Sequence, residues 1–133
     1  MDALGRHVLL EAYGCDVSIL NDTHRIKEIL TEAALLADAH IVGTAFHQFN
    51  PHGVSGVIII AESHLSIHTW PEYGYAAIDI FTCGADLKCD VACKHIIAEF
   101  KSSRSTIVEL KRGVMSAGRV IDPVELPKAE VLA

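Results

Sequence analysis

The chain has 133 residues, half of them hydrophobic, with a mean hydropathy of +0.31 and a formal net charge of −6. That length suggests a single domain spanning 1–133 with a core of its own, and the composition excludes a disordered polymer. The acidic balance, with no basic stripe beyond short clusters such as Lys111-Arg112, argues against nucleic acid as a partner, and apolar runs of about four residues are too short to span a membrane.

The first residues carry no basic segment leading into a long apolar one, so no secretion signal is expected and the cytoplasm is the expected location. Residues 6–13 read as a first strand that stops at Gly14. Asn21, Asp22 and Thr23 offer helix caps, and the apolar spacing of Ile26, Ile29, Leu30, Ala33, Ala34 and Ala37 predicts a helix over 23–37. Residues 40–49 and 54–60 read as strands joined by the turn chemistry of Asn50-Pro51-His52-Gly53. Residues 63–70 and 75–81 read as two more strands, 86–101 as a second helix and 105–111 as a last strand. The mixed tail after Gly113, with Pro123 and Pro127, is expected to be partly ordered at best. The sum is an α+β, two-layer sandwich: a mainly antiparallel sheet with helices on one face.

Residues 61–72 hold the densest chemistry. Glu62, Ser63, His64, Ser66 and His68 fall within seven positions. On a strand, Leu65, Ile67 and Thr69 alternate with His64, Ser66 and His68, so imidazoles and hydroxyls share the face that the helices leave open. His64 and His68 have the spacing of a metal pair on a helix, but here they read equally as strand histidines bonded to neighbours, and no metal is expected. Ser63 has no G-x-S-x-G elbow around it; a turn serine and a nucleophile are both open readings. Cys15, Cys83, Cys89 and Cys93 include no CxxC pair and read as free thiols, with Cys83 either packed as a small hydrophobe or available as an acid.

The motifs Gly5-Arg6-His7, 46–56 (FHQFNPHGVSG), Glu62-Ser63-His64, His68-Thr69-Trp70-Pro71-Glu72-Tyr73-Gly74-Tyr75, Asp79 and Phe81-Thr82-Cys83-Gly84 resemble the prokaryotic S-adenosylmethionine decarboxylase proenzymes, a pyruvoyl-dependent family. The resemblance implies that the chain cuts itself between Glu62 and Ser63 and that Ser63 becomes a covalent pyruvoyl group, the electron sink for decarboxylation. It assigns His68 as processing base, Ser55 as its helper and Cys83 as the proton donor in turnover. It also implies an adenine-stacking Phe49, a ribose-binding Glu72, and Leu4 and Trp70 beside them. The β chain would be 1–62 and the α chain 63–133, paired as a homodimer whose sheets face each other. The substrate implied is S-adenosylmethionine, decarboxylated to the aminopropyl donor for spermidine. A same-family decarboxylase of arginine or another basic amino acid is the alternative, and a non-enzymatic metal- or ligand-binding module using His64, His68 and the cysteines is a second. Ser63 and His68 have opposite parity on an ideal strand, so a turn or kink is expected at Glu62-Ser63, which would expose the scissile bond.

Overall fold

The computed structural model describes residues 3–84 and 86–115, with Pro123 and Leu126 as isolated positions. The tail reading therefore falls almost wholly outside the described residues. The elements run β1 (Ala3–Tyr13), α1 (Val17–Leu20), α2 (Thr23–Leu36), β2 (Ile41–Gln48), β3 (Val54–Ile60), β4 (Ser63–Trp70), a 3₁₀ turn (Pro71–Tyr73), β5 (Tyr75–Thr82), α3 (Cys89–Glu99) and β6 (Arg104–Val114). The six strands form one antiparallel sheet in the order β2-β3-β4-β5-β1-β6. This is the expected α+β architecture.

One face of the sheet makes the core. Val8, Leu10, Val54, Ile58, Leu65, Ile67, Ile78 and Ile80 are buried there. They pack against Leu20 of α1, Ile26, Ile29, Leu30, Ala33 and Ala34 of α2, and Cys93 and Ile96 of α3, with Phe100 at its end. The alternation seen in β4 is thus a burial pattern: Leu65, Ile67 and Thr69 are buried, while His68 and Trp70 are exposed.

Several ends differ from the expected ones, each for a local reason. The short α1 was not expected; Asp16 starts it by accepting from the backbone N–H groups of Ser18 and Ile19. α2 begins as expected because Asp22 accepts from Arg25 N–H at 3.0 Å. α3 starts at Cys89 rather than 86, because Arg6 and Ala37 hold the chain before it: Arg6 Nη2 donates to Leu87 O at 2.9 Å, and Lys88 N–H to Ala37 O. β6 outruns its expected end because it pairs with nearly the whole of β1, from Ala3 opposite Val114 to Tyr13 opposite Arg104.

Among the described residues, no helix covers the other face. Its rows follow from the registers. His7, Phe81, His64 and Ile59 form one row, Leu9, Asp79, Ser66 and Val57 the next, and Glu11, Ala77, His68 and Ser55 a third. Tyr13, Tyr75 and Trp70 end the series. Rows on one face lie about 7 Å apart, two residues of strand rise.

Candidate active site

β3 and β4 are joined by a two-residue turn, Ala61-Glu62, with Ile60 paired to Ser63. Ser63 leaves it with φ of 152°, a strained backbone for a residue with a Cβ. The expected kink is therefore present, at the expected bond.

Two donors converge on the carbonyl oxygen before Ser63. Cys83 N–H donates to Glu62 O at 3.0 Å, and the Cys83 thiol donates to the same oxygen at 3.2 Å. Two donors on one carbonyl polarise it and are placed to hold the negative charge that nucleophilic attack would put there. Cys83 is exposed, whereas Cys15, Cys89 and Cys93 are buried. Burial pushes the Cys93 thiol up to about 11, so it is not a reactive thiol.

The Glu62 side chain is held as well. Its carboxylate accepts from His40 N–H at 3.1 Å and lies 2.8 Å from His40 Nδ1, while Ala61 N–H donates to His40 O at 2.8 Å. The His40 ring and backbone N–H hold the Glu62 carboxyl below the usual carboxylate range. Nothing in the sequence pointed to His40.

A second group lies at the other end of β4. Ser55 Oγ and His68 Nδ1 are 2.7 Å apart across the β3–β4 ladder. They line a cavity of about 320 Å³ together with Phe49, His52, Thr69, Trp70 and Glu72. The Glu72 carboxyl is held below its ordinary value by its own backbone amide and, after it, by the His52 ring 3.1 Å away. Phe49, Trp70, Glu72, Ser55 and His68 are thus brought together. Leu4, 65 % exposed at the start of β1, lies at the Cys83 end of the sheet.

What one chain does not bring together is Ser63 and His68. They stand five positions apart on one straight strand, about 16 Å at the strand rise. The kink turns the chain at Ser63, which stays half-buried, and leaves that separation in place.

Between the two groups sits Asp79. Its carboxylate lies 2.5 Å from His7 Nε2 and 3.1 Å from His64 Nε2, and it accepts from Ser66 Oγ. Burial, the largest influence, works to raise its carboxyl, but the bonds from Ser66, His7 and His64 outweigh burial and hold it low. His7, His64 and Asp79 have metal-ligand composition. Arg112 Nη1 lies 3.1 Å from His7 Nδ1, and a guanidinium can only donate. His7 Nδ1 is therefore the acceptor and Nε2 keeps its proton, which leaves Nε2 no lone pair for a metal. His64 faces Asp79 and His68 faces Ser55, so these two do not form a pair of ligands either. A charge inside the otherwise apolar β5 was the one sequence signal for this network.

The family model described as S-adenosylmethionine decarboxylase matches residues 6–113. The S-adenosylmethionine decarboxylase proenzyme of Acetivibrio thermocellus is 54 % identical over 114 residues, covering 86 % of this chain and 92 % of that one. The proenzyme of Thermodesulfovibrio yellowstonii is 53 % identical over 116 residues, covering 87 % and 86 %. Among solved structures, the adenosylmethionine decarboxylase of Aquifex aeolicus superposes with a TM-score of 0.80 at 35 % identity, over 90 % of this chain and 98 % of that one.

Proposed function

The chain belongs to the S-adenosylmethionine decarboxylase family, and from that premise we propose that it cuts its own backbone at Glu62-Ser63 and then decarboxylates S-adenosylmethionine. The observation that carries the reading is the pair of Cys83 donors on the Glu62 carbonyl, directly before a strained serine.

That geometry supports self-cleavage. Ser63 Oγ attacks the Glu62 carbonyl carbon, Cys83 N–H and thiol stabilise the oxyanion, and the peptide bond becomes an ester. A base removes the Ser63 Cα proton, the Cβ–O bond breaks, and Glu62 leaves as a carboxylate. The remaining unit takes up water and releases ammonia, leaving a pyruvoyl group on an α chain of 71 residues (133 − 62) and a β chain of 62. The residues present fit that group, since Ser63 sits half-buried at the end of the turn and the donors stand where the acyl oxygen must go. Once formed, it supplies the electron sink for loss of CO₂.

His68 is the processing base, its ring oriented by Ser55 at 2.7 Å. It reaches Ser63 only from a second copy. Two sheets facing each other across a two-fold axis that runs across the strands lie end over end. The His68 end of one protomer then covers the Ser63 end of its partner, with the sheets about 10 Å apart. The bare face, with Ile59, Val108 and Leu110 each about half exposed, supports such a contact. Each site then takes Ser63 and Cys83 from one protomer and Ser55, His68, Phe49, Trp70 and Glu72 from the other.

In turnover, Phe49 and Trp70 offer aromatic faces to adenine and the sulfonium cation, and the Glu72 carboxylate accepts from ribose hydroxyls. Cys83 returns a proton to the carbon that has lost its carboxyl group. Named relatives favour S-adenosylmethionine over arginine as substrate. Intact-mass measurement of the purified protein should give two chains, the heavier with a blocked N-terminus, releasing labelled CO₂ from S-adenosylmethionine and not from arginine. A single unmodified chain that still releases CO₂ would overturn the mechanism.

A further inference from the structure

Cleavage leaves a carboxylate where a carbonyl stood, and the structure holds that end of the chain in place. We propose that the new α-carboxylate of Glu62 stays clamped by His40 against Cys83 and keeps its thiol protonated, so that the cut end of the β chain is a working part of the decarboxylation site. The proposal rests on the self-cleavage reading above.

Three contacts hold the cut end independently of the scissile bond: Ala61 N–H on His40 O, and the Glu62 carboxylate on His40 N–H and near Nδ1. A bulge between Ile41 and Gly43, where Val42 is the extra residue against β3, carries the chain into this position. None of these bonds involves the Glu62 carbonyl, so none is lost when the C–N bond goes. The elimination delivers the charge: as the ester's Cβ–O bond breaks, Glu62 keeps both electrons and becomes an anion, while the Ser63 Cα proton goes to the base. The anion appears on the oxygen that already accepts from the Cys83 N–H and thiol.

A negative charge a few ångströms from a thiol disfavours the thiolate. A group meant to give a proton to a carbon must arrive protonated, so the product of the first reaction prepares the acid of the second. Competing charges nearby are already engaged. His7 of β1, His64 of β4, Asp79 of β5 and Arg112 of β6 bond one another, and Lys88 pairs with Asp38. Asp86 lies on the loop that follows Cys83. Among the described residues, the recorded hydrogen-bond partner of the Cys83 thiol is the Glu62 carbonyl.

The test is the pH dependence of iodoacetamide alkylation at Cys83, read by peptide mass, in the cleaved enzyme and in uncleaved Ser63→Ala. The midpoint should be higher by about one pH unit in the cleaved protein, with alkylation about tenfold slower at a pH below both midpoints. His40→Ala, once cleaved, loses the Nδ1 contact but keeps the two backbone ones, so its midpoint should fall part of the way toward the uncleaved value, and His40→Asn, which restores a side-chain donor, should recover it. Cleaved protein with the same midpoint as Ser63→Ala overturns the proposal alone. A wild-type midpoint in His40→Ala overturns the part assigned to the His40 ring. Wild-type protein that never cleaves overturns the reading beneath it as well.

Discussion

The two ends of β4 share a strand and a family of motifs, yet they are built differently. The Ser63 end is a strained turn: its carbonyl takes two hydrogen bonds from Cys83, and its side chain is pinned to His40. The His68 end is relaxed strand with a cavity beside it, lined by aromatic rings, a carboxylate and an imidazole bonded to Ser55. On the proposed reading, one end breaks a bond of the chain and the other holds a base and a ligand. A strand is stiff, so neither end can bend to the other, and the proposed function unites them at an interface between two copies.

The largest effect that separates the two ends is loss of cleavage. Ser63→Ala should remain a single chain with no decarboxylation, while folding normally by circular dichroism. Cys83→Ala comes next: it removes the thiol donor but keeps the backbone N–H, so it should still cleave, more slowly, and turn over about 10²-fold less well. Normal turnover by Cys83→Ala would remove its role as acid. At the far end, Phe49→Ala should raise KM about tenfold, the scale of about 1.4 kcal/mol of lost stacking, and leave cleavage of the chain unchanged.

The smallest effect belongs to the network between the ends. Asp79→Asn should cost about 1–2 kcal/mol at pH 7 in urea unfolding at fixed protein concentration, because a carboxylate accepting three hydrogen bonds becomes a neutral amide. The Asp79 carboxyl is held low in the folded protein, so its contribution is complete above the unfolded value and is lost as pH falls through the folded one. The gap between wild type and variant should therefore close in acid, below about pH 4. A gap that widened in acid would contradict the charge assignment.

Much of this was legible in the sequence, and the reasons for the rest are specific. Alternation in β4 told which residues are buried, and opposite parity of Ser63 and His68 told that a simple strand could not align them. The parity argument pointed to a kink; it could not tell that the kink would leave both residues far apart, because length along a strand is not a parity property. His40 escaped because its contact with Glu62 depends on a bulge in β2, and no local pattern marks a bulge. The His7–Asp79 contact escaped because β1 lies between β5 and β6, so residues 72 positions apart meet through strand order alone. α1 is four residues long, too short for a period to show.

The claim that each site is completed by a second protomer is tested most directly by mixing two defective chains. Ser63→Ala and His68→Ala, each distinguishable by mass, would be produced together so that mixed dimers form. The His68→Ala chain, uncut by itself, should be cut at Glu62-Ser63 when paired with Ser63→Ala, which lends it an intact His68. A His68→Ala chain that stays whole in the isolated mixed dimer would contradict it.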